Sequence, residues 1–258
     1  MQKIFFKSKD GLKLCGVWHI PDKPTAKVIV LAHGITVDKD EDGIFVELAE
    51  LLKENGYAVF RFDFRGHGES EGMPVDMTIT GEIKDIKAAI KHVKQRDYLQ
   101  VGLLGACFGG GTATLYTSQN QEQLKCLCLS NPCLNYDHIF INPTLPWILK
   151  RKSHMEKELE EKGWTTIGSR KYKVGIRLWN EMKKLYPYKE LKKIGIPTII
   201  IHGDKDTYVP YNDSKDYMPY LNKGTLITVK NAEHGFQDVK EHRERAKQET
   251  LKFFLKYL

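Results

Sequence analysis

No stretch of this 258-residue sequence stays apolar for the roughly 18 residues that a membrane-spanning helix needs, so no membrane span is expected. The opening Met1-Gln2-Lys3-Ile4-Phe5-Phe6 runs into Lys7 and Asp10 without a long apolar core, so a secretion signal is not expected either. Cysteine is scarce. The five residues Cys15, Cys107, Cys126, Cys128 and Cys133 are odd in number and lack staple-like spacing, which argues against a disulfide framework and for a reducing, cytoplasmic setting. Neither these cysteines nor any His/Glu group has metal-ligand spacing, so no metal and no cofactor is expected. Repeats, low-complexity linkers and nucleic-acid-binding motifs are also missing. The formal charge of +7 comes from lysines interleaved with glutamates through most of the chain, the pattern of a solvated, slightly basic surface with no nucleic-acid partner.

What is present is an ordinary globular composition, 41% hydrophobic and 28% charged, over a length sufficient for one large domain or a core with an insertion. Lys3 to Lys7 and Leu12 to His19 flank an Asp10-Gly11 turn and predict an antiparallel hairpin at a sheet edge. Alternation then gives way to short, continuous apolar runs at Val28–Ala32, Ala58–Phe60, Val101–Leu104 and Thr198–Ile201. Such runs suit parallel strands buried on both faces. Helical periods lie between them: Phe45, Leu48, Leu51 and Leu52 share one face, as do Ile83, Ile86, Ala89, Ile90 and Val93. The first of these should end at Asn55-Gly56. Strand and helix keep alternating, which predicts a doubly wound, mostly parallel α/β sheet.

The rhythm breaks between about Asn135 and Ile194. Residues 136–190 carry 12 Lys and Arg against 7 Asp and Glu, with Trp147, Trp164 and Trp179 among several tyrosines and no clear buried strand. The expected division is a core of residues 1–134 and 195–258, with a helical cap or lid at 135–194 over the C-terminal strand ends. The tryptophans are candidates to line a substrate pocket and equally candidates for the cap's own core.

Three segments fall at predicted strand C-termini, where open α/β sheets place their ligand sites. Gly105-Ala106-Cys107-Phe108-Gly109-Gly110 reads as strand, sharp turn and helix, with a thiol at the apex and glycines that let strand and helix approach: a nucleophile elbow. His202-Gly203-Asp204-Lys205-Asp206 supplies candidate acids, and Asn231-Ala232-Glu233-His234-Gly235 a histidine. In such a constellation His234 takes the Cys107 proton, and an aspartate fixes the imidazole tautomer. The elbow offers the Phe108 N–H to an oxyanion.

With these motifs in the order nucleophile, acid, histidine, the chain resembles the α/β-hydrolase superfamily. More narrowly, it resembles the cinnamoyl/feruloyl esterase-like carboxylesterases, which are related to monoacylglycerol lipases. Leu31-Ala32-His33-Gly34-Ile35-Thr36, Arg61 to Ser70, and Met77-Thr78 leading into Glu82-Ile83 carry the likeness further, over nearly the whole chain apart from the cap. The resemblance implies a cofactor-free hydrolase of a small-molecule acyl substrate, an ester or thioester, with a homodimer left open. It implies Asp206 in preference to Asp204 as the triad acid, and the Ile35 N–H as second oxyanion donor. His33 and His67 are then expected to shape loops. The chain departs from the resembling esterases at Cys107, where they carry serine; dienelactone hydrolases, a sister family, use cysteine in a similar elbow. Three readings therefore stand side by side: a natural cysteine hydrolase of esters, thioesters or lactones, or an acyltransferase; a serine esterase with an engineered Ser→Cys exchange; and a non-catalytic binding protein on a hydrolase scaffold. Cys126 and Cys128, two apart on a predicted strand, read as packing.

Overall fold

The computed structural model describes residues 1–258. Strands β1 (Gln2–Lys7) and β2 (Lys13–His19) form the expected hairpin, pairing from Gln2–Trp18 to Lys7–Lys13. The chain continues through β3 (Lys27–Ala32), α1 (Ile44–Glu54), β4 (Ala58–Phe62), α2 (Ile79–Lys94), β5 (Gln100–Ala106), α3 (Cys107–Asn120) and β6 (Cys126–Ser130). It then leaves the sheet for a π-helical turn at Asp137–Ile141, α4 (Pro146–Leu149), α5 (Lys152–Lys162), a hairpin of β7 (Trp164–Ile167) and β8 (Tyr172–Gly175), α6 (Ile176–Met182) and α7 (Pro187–Glu190). It returns as β9 (Thr198–Gly203), α8 (Tyr211–Tyr217), β10 (Gly224–Val229) and α9 (Lys240–Tyr257). No helix is long and apolar enough to cross a membrane.

The main sheet has eight strands in the order β1-β2-β4-β3-β5-β6-β9-β10, and only the pairings of β2 with β1 and β4 are antiparallel. Successive residues of a buried strand serve opposite layers. Val28, Val30 and Ala32 pack with Ile86, Ile90 and Val93 of α2, whereas Ile29 and Leu31 pack with Leu48 and Leu52 of α1 and Phe254 of α9. The α1 helix ends as expected, with Gly56 at φ +87° just beyond it. Thr78 caps α2 by accepting the Gly81 N–H at 3.0 Å. Chain direction across the sheet reverses at β3, whose neighbours are β4 and β5. A crevice at the C-terminal ends of strands is expected beside such a reversal.

A third apolar cluster joins this crevice to residues 135–194. Ile35, Phe108 and Cys133 from the sheet side pack with Ile139, Phe140, Ile148, Leu178 and Trp179. The segment is not wholly helical, as the sequence had suggested: β7 and β8 form a two-stranded antiparallel ribbon. In β7 Thr165 and Ile167 are buried while Trp164 and Thr166 are not, an alternation only four residues long, and β8 buries only Val174 and Gly175. So short a pattern is hidden among flanking charges and aromatics.

Candidate active site

β5 ends at Ala106 and α3 begins at Cys107, whose φ of +50° lies in the left-handed region. A non-glycine residue there is strained, and the strain turns its side chain out of the sheet into the crevice. Gly109 makes the turn feasible, because a Cβ at that position would run into the carbonyls of Ala32 and His33 at the end of β3. The Cys107 carbonyl accepts the Cys133 N–H at 2.8 Å, which ties the elbow to the loop after β6. Cys107 is half-buried at the base of a cavity of about 360 Å³.

Asp206, beyond the end of β9, has no exposed side-chain surface. Its Oδ2 accepts His234 Nδ1–H at 2.6 Å and lies 3.2 Å from His202 Nε2. Its Oδ1 accepts the N–H groups of Tyr208 and Val209, both at 2.8 Å. The Ser214 hydroxyl, 2.7 Å from His202 Nδ1, leaves the far nitrogen of that ring to donate to Asp206. Asp204, the rival acid, instead accepts the Asn231 N–H at 2.6 Å and braces the turn that leads to His234. The His234 ring lines the same cavity as Cys107, and its side chain interacts with the Cys107 thiol.

The charges of this group support one another. Burial would raise the Asp206 carboxyl, but His234 and His202 hold it well below the usual carboxylate range. Burial opposes a charged His234, yet Asp206 and Cys107 hold the imidazole well above its ordinary value. The Cys133 thiol, 3.9 Å away and donating toward Cys107 Sγ, is the first cause that holds Cys107 well below the ordinary thiol range; His234 adds to it against the cost of burial. Cys133 itself is pushed well above that range by burial. The arrangement stabilises a thiolate–imidazolium pair. Cys126 and Cys128 pack in the core as expected, the latter pushed up to about 12 by burial.

Residues 23–238 match the family described as Serine aminopeptidase, S33. The chain belongs to this family. A thiohydrolase of Aspergillus aculeatus, aneE, is 33% identical over 115 residues, which cover 43% of this chain but only 35% of that protein. A monoacylglycerol lipase of Mycolicibacterium smegmatis is 24% identical over 220 residues, covering 77% of this chain and 76% of the lipase. Among solved structures, Est1E of Butyrivibrio proteoclasticus with ferulic acid bound superposes with a TM-score of 0.85 at 22% identity, over 98% of both chains. The fold is that of the α/β-hydrolases.

In this member of the family the loop after β3 faces the elbow. The Gly34 N–H donates to Glu41 Oε2 at 2.7 Å, while the Ile35 N–H makes no hydrogen bond. His33 and His67 serve the loop, as expected. His33 Nε2 accepts the Phe64 N–H at 3.0 Å and Nδ1 donates to the Gly34 carbonyl; His67 Nε2 donates to the Ile35 carbonyl at 2.8 Å. Buried Asp63 accepts both the N–H and the ammonium of Lys39, tying the rest of the loop to the turn after β4.

The three tryptophans part company. Trp147 lines the cavity and donates from Nε1 to the Tyr208 carbonyl at 3.1 Å. Trp179 is buried in the third cluster and does not reach the cavity, and Trp164 lies between Lys162 and Lys173 outside it. Other apolar walls include Ile139, Phe140 and Ile167, and Arg170 stands at the rim, paired with Asp42. Sequence reasoning missed Glu41, which also lines the cavity. It lies in the run Asp38-Lys39-Asp40-Glu41-Asp42, whose composition reads as solvent-facing.

Proposed function

We propose that the chain hydrolyses a carboxylic ester or thioester through an acyl-enzyme on Cys107, with His234 as acid–base and Asp206 as its orienting partner. The observation that carries this reading is the 2.6 Å bond from His234 Nδ1 to buried Asp206, made by a ring whose other face shares a cavity with the thiol at the elbow. The Cys107 thiolate adds to the acyl carbon, and the carbonyl electron pair moves to oxygen. The N–H groups of Phe108, in the unpartnered first turn of α3, and of Ile35 receive that oxyanion. When the intermediate collapses, the bond to the leaving oxygen or sulfur breaks and His234 gives that atom its proton. Water then attacks the thioester, losing a proton to His234, and Cys107 departs as the thiolate.

Sulfur sets the substrate class. A thiolate leaves a tetrahedral intermediate more readily than an alkoxide does, so alkyl esters tend to revert, whereas thioesters and aryl esters go forward. The partial likeness to a protein named a thiohydrolase supports thioesters. A cavity of about 360 Å³ walled by Phe140, Trp147 and Ile167 suits a small or medium acyl group. The test is intact-protein mass spectrometry during turnover of an aryl ester and an acyl thioester. An acyl adduct on Cys107, together with stoichiometric iodoacetamide labelling that abolishes activity, is the expected outcome. Full activity in Cys107→Ala would sink the reading, and the absence of any adduct across a broad panel of esters, lactones and thioesters would favour binding without turnover. A large rise on alkyl esters in Cys107→Ser would mark the scaffold as that of a serine esterase.

A further inference from the structure

Glu41 is a carboxyl lining the cavity beside Cys107 and His234 that the triad chemistry leaves unused. Its backbone is left-handed, with φ +47° at Glu41 and +53° at Asp42, followed by Gly43 at +90°. Two consecutive L-residues adopt that conformation only where their surroundings enforce it, and such strain gathers at functional sites. Here it turns Glu41 inward from a charged run, while Asp42 is more exposed and pairs with Arg170 at the cavity's edge. Glu41 Oε2 is fixed by the Gly34 N–H at 2.7 Å, and Oε1 has no protein partner. The position a Gly34 side chain would occupy lies 3.2 Å from Glu41 Oε1 and also 3.2 Å from Cys107 Cβ. A side chain there would press on both, so glycine lets the carboxyl and the nucleophile approach one pocket without displacement.

We propose that Glu41 is a further catalytic residue: as a neutral acid, its Oε1–H donates a hydrogen bond to the acyl group under attack at Cys107. The protonated form follows from the setting. Although the residue keeps some accessible surface, burial is the first cause that pushes its carboxyl up to about 8, and the Cys107 charge adds to it against the Gly34 bond and His234. The groups that face Glu41 are thus Cys107, His234, Asp42 and the Gly34 amide. A donor on Oε1 strengthens as charge grows on the acyl oxygen, and it costs little reorganisation because Oε2 is already anchored. Once ionised, the same group loses its donor and places a negative charge beside a thiolate and a developing oxyanion. Glu41 therefore supplies an alkaline limit to turnover that Asp206, His234 and Cys107 do not require.

The proposal rests on acyl transfer at Cys107, and the experiment separates the two. The pH dependence of kcat is measured for the parent, Glu41→Gln and Glu41→Ala on one aryl ester, with the acyl-enzyme followed by mass. The parent is expected to lose kcat with one proton removed near pH 8. Glu41→Gln keeps an acceptor for Gly34 and a donor for the cavity but has nothing to ionise, so that limb disappears. Glu41→Ala is expected to lose about 10²-fold in kcat at neutral pH, while the iodoacetamide rate at Cys107 changes only a few-fold. An alkaline limb unchanged in Glu41→Gln, with the acyl-enzyme intact, overturns the assignment of Glu41 alone. A purely structural Glu41 would give that result, with Glu41→Ala raising KM and leaving kcat in place. A parent that forms no acyl-enzyme overturns the Cys107 reading and this one with it.

Discussion

The floor and the roof of the cavity are built on different principles. The floor is held by buried strand ends and directional bonds: Cys107 at the end of β5, Asp206 after β9, and His234 after β10 fixed by a 2.6 Å bond. The roof, where residues of 139–170 line the cavity, meets it mainly through the apolar side chains Ile139, Phe140, Trp147 and Ile167, in short helices and a two-stranded ribbon with few directional bonds to the floor. Directional bonds position charge, and apolar contact positions shape. Substitutions in the floor should therefore act on kcat, and substitutions in the roof on KM or stability.

The largest effect should come from breaking the floor at its acid. Asp206→Asn leaves the residue's volume unchanged but removes the acceptor that fixes the His234 tautomer and stabilises its charge. By analogy with other triads, kcat should fall about 10⁴-fold. Asp204→Asn, two residues away, serves as the control. Its carboxylate only accepts the Asn231 N–H, so a loss of about 1 kcal/mol in stability with nearly normal kcat is expected. Steady-state kinetics and thermal unfolding of the pair measure both. Equal losses of kcat would show that the turn, not the charge, is what matters.

The same contrast governs what could be read in the sequence. Floor residues sit at fixed offsets from buried apolar strands, because the sheet dictates where Cys107, Asp206 and His234 must emerge. Asp204 and Asp206 share one loop two residues apart; the family resemblance favours Asp206, and the bond partners show what each carboxylate holds. In the roof, Trp147, Trp164 and Trp179 have the same composition signal, yet only Trp147 lines the cavity. Side-chain direction there depends on tertiary packing, which no period records. Glu41 was hidden for a different reason: a positive φ inside a charged run reverses the direction that composition implies.

A smaller change, still in the floor, should come from Cys133. Cys107 is held low and His234 high, so the thiolate–imidazolium pair should persist across neutral pH. Iodoacetamide alkylation of Cys107 is then expected to be nearly flat from about pH 6 to 8, a range in which a thiol near its reference value of about 8.5 would still gain reactivity with every step. Cys133→Ala removes the first of the causes that lower the Cys107 pKa. The acid limb of the alkylation profile should move up by about one to two pH units, since a hydrogen bond to a charged acceptor contributes about 1.5–3 kcal/mol. A parent profile that climbs through pH 8 like a free thiol would break the electrostatic account of the floor.

The smallest effects on turnover distinguish the tryptophans of the roof. Trp147 meets the cavity on one side and the Tyr208 ring on the other, at 5.6 Å between centroids, so it couples roof to floor. Trp147→Ala enlarges the acyl wall, and KM for a bulky acyl substrate should shift several-fold while the low reactive pKa of Cys107 is retained. Trp179→Ala should leave an empty volume in the third cluster and cost about 3–5 kcal/mol of stability, with KM unaltered in the fraction that remains folded. Trp164 is held by the ammonium groups of Lys173 at 4.6 Å and Lys162 at 5.6 Å, at the opposite end of β7 from the cavity-lining Ile167. Trp164→Ala should therefore cost about 1 kcal/mol or less and leave both kinetic constants alone. Chemical denaturation with parallel kinetics on short and long acyl chains would rank the three. A change in acyl-chain preference in Trp164→Ala would mean that the β7–β8 ribbon transmits its packing to the cavity through Ile167, and the division between a floor that sets rate and a roof that sets shape would have to include the ribbon's outer face.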